Sequence, residues 1–162
     1  MCDREVGANL PVPGDCRIVD ARGHYVLPGG VDPDTSLHVE CPSGGLTVDD
    51  FYSGSRAALS GGTTTLISQV IDVGGRSLVD AFDRQRKAAE AHVCCDFALH
   101  VAVTSVAEAR RVERELDILV RDRGVASVKL FMAFKGQVSG GPRVCLELTL
   151  DCNCRYNCRT PS

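Results

Sequence analysis

From Tyr25 onward, short apolar runs alternate with longer stretches in which apolar residues recur every three or four positions. Tyr25-Val26-Leu27 reads as a short strand that runs into Pro28-Gly29-Gly30 and then the polar segment Asp32-Pro33-Asp34-Thr35-Ser36. Thr47-Val48-Asp49-Asp50 resembles a capping box. Phe51, Ala58 and Leu59 come next at helical spacing and Gly61-Gly62 supply a stop, so a first helix is expected there. Thr63 to Ile71 is β-branched and short, which predicts a strand, and Asp72 to Arg76 predicts a loop.

The alternation then repeats. Ser77-Leu78-Val79-Asp80 caps a helix that carries Leu78, Phe82 and Ala89 to about Ala91, and Asp96 to Val103 is the next strand. Ser105 to Glu108 caps a third helix, with Val112, Leu116, Leu119 and Val120 on one face and Gly124 at its end. Ala126 to Phe134 is a fourth strand. The order β-α-β-α-β-α-β calls for crossover connections and a parallel sheet, and the last two strands are apolar enough to be covered on both faces. An open doubly wound sheet and part of a (β/α) barrel both satisfy this pattern. No G-x-G-x-x-G joins a strand to a helix, so a dinucleotide fold has no support.

Composition narrows the function classes. The 162 residues are 44% hydrophobic and 24% charged with a net charge of -3, which suits one globular domain. No basic run exceeds Arg110-Arg111, so neither nucleic acid nor an anionic membrane is an expected partner. Met1-Cys2-Asp3-Arg4-Glu5 lacks the order of a signal peptide, and no apolar run nears the roughly 20 residues that span a bilayer. A cytoplasmic location is expected. The nine cysteines are an odd set, with Cys94-Cys95 adjacent in an apparent strand, and reduced, buried thiols are the expectation.

Four blocks carry a resemblance. VLPGGVDPDTSLH, DDFYSGSRAALSGGTTTLI, CCDFALHVAVT and SVKLFMAFKG, in this order and spacing, resemble dihydropyrimidinases, hydantoinases and their non-enzymatic relatives, the collapsin response mediator proteins, over roughly Val6 to Gly136. The resemblance implies a TIM-type (β/α)8 metallo-dependent hydrolase barrel, represented here by about its first four βα units at residues 25–136. Residues 1–24 would be a remnant of an N-terminal β-domain, and residues 137–162 a cysteine-rich tail outside the family pattern, expected to be disordered.

Active members of this group open cyclic amides with two zinc ions bridged by a carboxylated lysine. The resemblance places Asp34 and Ser36 where such enzymes have the two histidines of His-x-His, Lys129 at the carboxylated lysine, and Phe134 at a tyrosine that binds substrate. Two imidazoles one residue apart at a strand end can share one zinc ion, whereas a serine hydroxyl is a poor neutral ligand. Asp34 could still hold a cation weakly with Asp32 or His38, although His38 is offset from the motif and reads as an exposed loop histidine. Lys129 interrupts an apolar strand, so pairing with a carboxylate or snorkelling to the barrel mouth is expected. A phenyl ring at Phe134 donates no hydrogen bond, and loss of one oxyanion donor costs on the order of 100-fold in rate. His100, mid-strand, reads as a core residue with satisfied nitrogens.

The tail raises one further motif, Cys145 with Cys152-x-Cys154 and Cys158. Four thiolates could bind zinc tetrahedrally, but the spacing is unfamiliar and oxidation-prone thiols are the default. Taken together, the sequence predicts a truncated dihydropyrimidinase-related protein that is catalytically inactive and needs no cofactor. It would act through self-association or hetero-oligomers with full-length relatives. The rivals are an incomplete product of a cyclic amidohydrolase and a small zinc-binding module formed by the tail.

Overall fold

A computed structural model describes residues 7–40, 45–72, 77–104 and 109–130. The elements are β1 (Gly30–Thr35), α1 (Phe51–Ser60), β2 (Thr63–Ile71), α2 (Leu78–His92), β3 (Asp96–Ala102), α3 (Ala109–Arg123) and β4 (Val128–Lys129). The strands form one parallel sheet in the order β1-β2-β3-β4. A doubly wound sheet reverses its strand order at a switch point, whereas a barrel adds each strand beside the last. The strict sequential order here is the barrel pattern.

Three starts differ from the sequence expectation, those of β1, α1 and β4, the last pairing from Val128 rather than Ala126. Tyr25-Val26-Leu27 is not the first strand: these residues are 95%, 80% and 78% exposed, and pairing begins at Gly30 opposite Thr63. The polar segment GVDPDT pairs instead, at the sheet edge, where the missing N–H of Pro33 costs no hydrogen bond to a further strand. Gly29 permits the approach, since a Cβ there would lie 2.7 Å from Thr64 Cβ. In α1 the capping box is Asp50 with Ser53, while Thr47 Oγ1 accepts from Val39 N and donates to the carbonyl of Asp49. Leu59 faces outward, while Phe51 and Ser55 are buried, the serine Oγ donating to Phe51 O and accepting from Cys94 N. The strand β3 begins at Asp96, as expected, which leaves Cys94-Cys95 outside it, and the expected buried thiols are corrected: Cys94 is exposed and Cys95 half-buried.

The core lies on one face of the sheet. Leu66 and Val70 of β2 and Leu99 and Val101 of β3 pack with Leu78, Ala81, Phe82 and Ala89 of α2 and with Val112, Leu116 and Leu119 of α3. Ser77 caps α2 by accepting from Asp80 N. Arg123 of α3 holds Asp83 of α2 through Nε and Nη2 at 2.8 and 3.1 Å. No helix among the described residues is long and apolar enough to cross a membrane. Phe134 and the tail cysteines Cys145, Cys152, Cys154 and Cys158 lie outside the described residues.

Candidate functional site

Side chains alternate across a strand, so the register decides which residues share the face away from the helices. Gln69 of β2 pairs with His100 of β3, and Lys129 of β4 pairs with Ala102, two residues beyond His100 on the same face. The C-terminal end of β1 delivers Asp34 and, just past the strand, Ser36 to the same edge. Four parallel strands thus bring five polar side chains to one end of the sheet.

The segment after β1 is fixed by β2 and α2. Thr35 Oγ1 donates to Ile67 O, and Ser68 Oγ donates to Thr35 O while accepting from Leu37 N, each at 3.3 Å. Gln85 Nε2 donates to the carbonyls of Leu37 and His38 at 2.9 and 3.1 Å. His38 takes a left-handed φ of 52° and its ring stacks on Phe51 with centroids 6.1 Å apart. It is half-buried against α1, which corrects the expectation of an exposed loop residue.

Lys129 Nζ donates to Asp34 Oδ1 at 2.5 Å, across the two strands that lie between them. The lysine side chain is 19% exposed and the aspartate 56%. His100 Nε2 lies 3.7 Å from the same carboxylate oxygen. Burial pushes the imidazole below its ordinary pKa; the Asp34 carboxylate pulls it back up, and the Lys129 ammonium adds to the lowering. The ring is therefore neutral at pH 7. His100 Nε2 and Gln69 Oε1 are buried without hydrogen-bond partners, so the expectation of a satisfied core histidine fails. Gln69 Nε2 donates to Ser36 Oγ at 2.5 Å. Exchanging the amide's oxygen and nitrogen would still leave one of its polar atoms alone.

The donor set does not fit two bridged zinc ions. Asp34 is already the counter-ion of Lys129, the lysine that would have to carry the bridging carbamate, and Ser36 spends its oxygen on Gln69. Among the described residues no three His, Cys, Asp or Glu side chains converge closely enough to hold a metal ion. The sequence pointed to Asp34, Ser36 and Lys129 as site positions, read His100 as a mid-strand core residue, and gave Gln69 no role. The available signal was the polar pair Ser68-Gln69 inside the apolar run TTTLISQVI.

No family-level sequence profile matches the chain. Individual proteins do. The chain is 44% identical over 132 residues to dihydropyrimidinase-related protein 5 of Homo sapiens, covering 82% of this chain and 23% of that protein. It is 47% identical over 137 residues to dihydropyrimidinase of Rattus norvegicus, covering 82% and 26%. Among solved structures, a D-hydantoinase superposes with a TM-score of 0.78 at 34% identity, over 90% of this chain and 31% of the other. D-hydantoinase (dihydropyrimidinase) from Thermus sp. superposes with a TM-score of 0.79 at 29% identity, over 91% and 32%. The chain spans about a quarter of the length of the curated relatives it matches. The sheet is accordingly part of a TIM-type barrel, and the chain belongs to the dihydropyrimidinase and hydantoinase family.

Proposed function

We propose that the protein is a non-catalytic, dihydropyrimidinase-related member of this family that works in the cytoplasm by protein association, with itself or with longer relatives, and takes no metal cofactor. The observation that carries this reading is the Asp34–Lys129 ion pair. Ring opening of a cyclic amide at neutral pH needs an activated water, and the usual source is a metal that lowers its pKa. A carboxylate neutralised by an ammonium, beside a serine and a neutral imidazole, offers neither a metal seat nor a strong base.

One feature favours a second reading, that the chain is part of a cyclic amidohydrolase: Lys129 keeps the residue type of the family's bridging position. Hydrolysis of dihydrouracil and hydantoin by the purified chain, with and without added zinc, separates the two. No turnover above a buffer blank is expected. Zinc-dependent ring opening would overturn the non-catalytic reading.

A further inference from the structure

We propose that the cavity between the segment following β1 and helix α2 binds a small aliphatic amino acid in its zwitterionic form, with Arg84 taking the carboxylate and Glu40 the ammonium. The cavity measures about 210 Å³, and its wall includes Val39, Glu40, Leu46, Val70, Arg84 and Gln85. None of Asp34, Ser36, Gln69, His100 and Lys129 lines it, and Val70 belongs to the core on the helix side of the sheet. The cavity is therefore separate from the polar end of the strands, and the proposal does not rest on the association reading.

Three observations carry it. First, Glu40 and Arg84 both line the cavity, and among the described residues neither side chain has a hydrogen-bond or ion-pair partner, each other included. Neighbouring arginines are engaged: Arg86 of the same helix holds Glu90 at 2.8 Å, and Arg123 holds Asp83. Second, Gln85 spends both donors of Nε2 on the carbonyls of Leu37 and His38, which leaves Oε1 as an acceptor in the cavity wall. Third, the wall is preformed. Val39 and Val70 are buried, and the segment that carries Val39 and Glu40 is held by His38 N to Asp49 O at 3.0 Å, by Thr47 N to Val39 O at 2.9 Å and by an antiparallel bridge between Glu40 and Leu46.

One occupant satisfies both charges. A simple anion would be repelled by Glu40 and a metal cation by Arg84, whereas an amino acid carries both charges a few bonds apart. Its planar carboxylate matches the guanidinium fork, and the three donors of its ammonium suit a carboxylate and an amide oxygen together. The cavity is smaller than the roughly 300–1,000 Å³ of pockets that take drug-sized ligands, so the occupant is small. The apolar wall at Val39 and Val70 favours a short aliphatic side chain over a polar one.

Equilibrium dialysis of the full chain with isotopically labelled L-valine tests this. Saturable binding is expected. Isobutylamine, which lacks the carboxylate, and isovalerate, which lacks the ammonium, should each compete at least roughly tenfold more weakly than unlabelled valine. Glu40→Gln and Arg84→Gln should each weaken valine binding by roughly tenfold. Both side chains are exposed, so the urea midpoint should not change in either variant. Absence of saturable binding, equal competition by either single-charge analogue, or unaltered affinity in either variant would overturn the proposal.

Amide NMR shifts locate the bound amino acid. On addition of L-valine, the signals of Val39, Glu40, Leu46, Arg84 and Gln85 should move along one saturation curve. Shifts confined to other residues would place the ligand elsewhere and equally overturn the assignment. Binding is read per chain, whether the chain is monomeric or associated, so a failure of the association reading leaves this test intact.

Discussion

His100 shows what one residue's surroundings do to its chemistry. Its folded-state pKa lies below the ordinary value of 6.5, first because of burial and then because of Lys129, with Asp34 opposing both. The unfolded chain therefore binds a proton more readily than the folded chain does. Stability from this group is fully present above about pH 6.5, declines as the pH falls through that value, and levels off only below the depressed folded pKa. The urea midpoint should accordingly be lower at pH 5.5 than at pH 7.5, with a smaller drop in His100→Gln. A midpoint that rises on acidification, or an identical drop in the variant, would contradict this assignment. That the residue lies within a strand was legible in the sequence, but its neighbours were not. Gln69 and His100 are 31 positions apart and become adjacent only through the β2–β3 register, which no local pattern encodes.

At the scale of elements, α2, α3, β2 and the start of β3 were legible. Leu78, Phe82 and Ala89 in α2 and Val112, Leu116 and Leu119 in α3 recur at helical spacing, and all six are buried. The strand β1 was not legible, because GVDPDT has no apolar alternation and becomes a strand only by pairing with β2. The segment beyond β1 is held by a close contact with α1. Gly54 sits mid-helix, and a Cβ there would overlap Leu37 Cδ2 and lie 3.1 Å from Cδ1. Leu37 is 8% exposed within the core cluster, so it has little room to swing aside. Gly54→Ala gains about 1 kcal/mol of helix propensity, against about 1–3 kcal/mol for overpacking. The second effect wins, and we expect a net loss of roughly 1 kcal/mol in urea denaturation. A stabilised variant would show that α1 moves away from Leu37 without penalty.

The two faces of the sheet set how the whole molecule meets its surroundings. One face is covered by helices, and the other presents the polar cluster at the end of the strands. Ile18, Val19, Tyr25, Val26 and Leu27, each 75% or more exposed, precede the edge strand β1, whose Val31 is 61% exposed. An edge strand offers unpaired backbone donors and acceptors, and an apolar stretch next to it adds the area that makes pairing favourable. Pro33 and the charges of Asp32 and Asp34 oppose pairing along β1 itself, because proline lacks a donor and like charges repel across a copied strand. The apolar residues 18–27 are then the part left to drive association. Sedimentation of the chain over a range of concentrations should show a mass that rises with concentration, and replacing Tyr25, Val26 and Leu27 together by serine should reduce that rise without altering the urea midpoint, since none of the three is part of the core. If the chain sediments as a monomer at every concentration, or if the triple variant associates as strongly, these residues do not drive association and the association reading loses its physical basis.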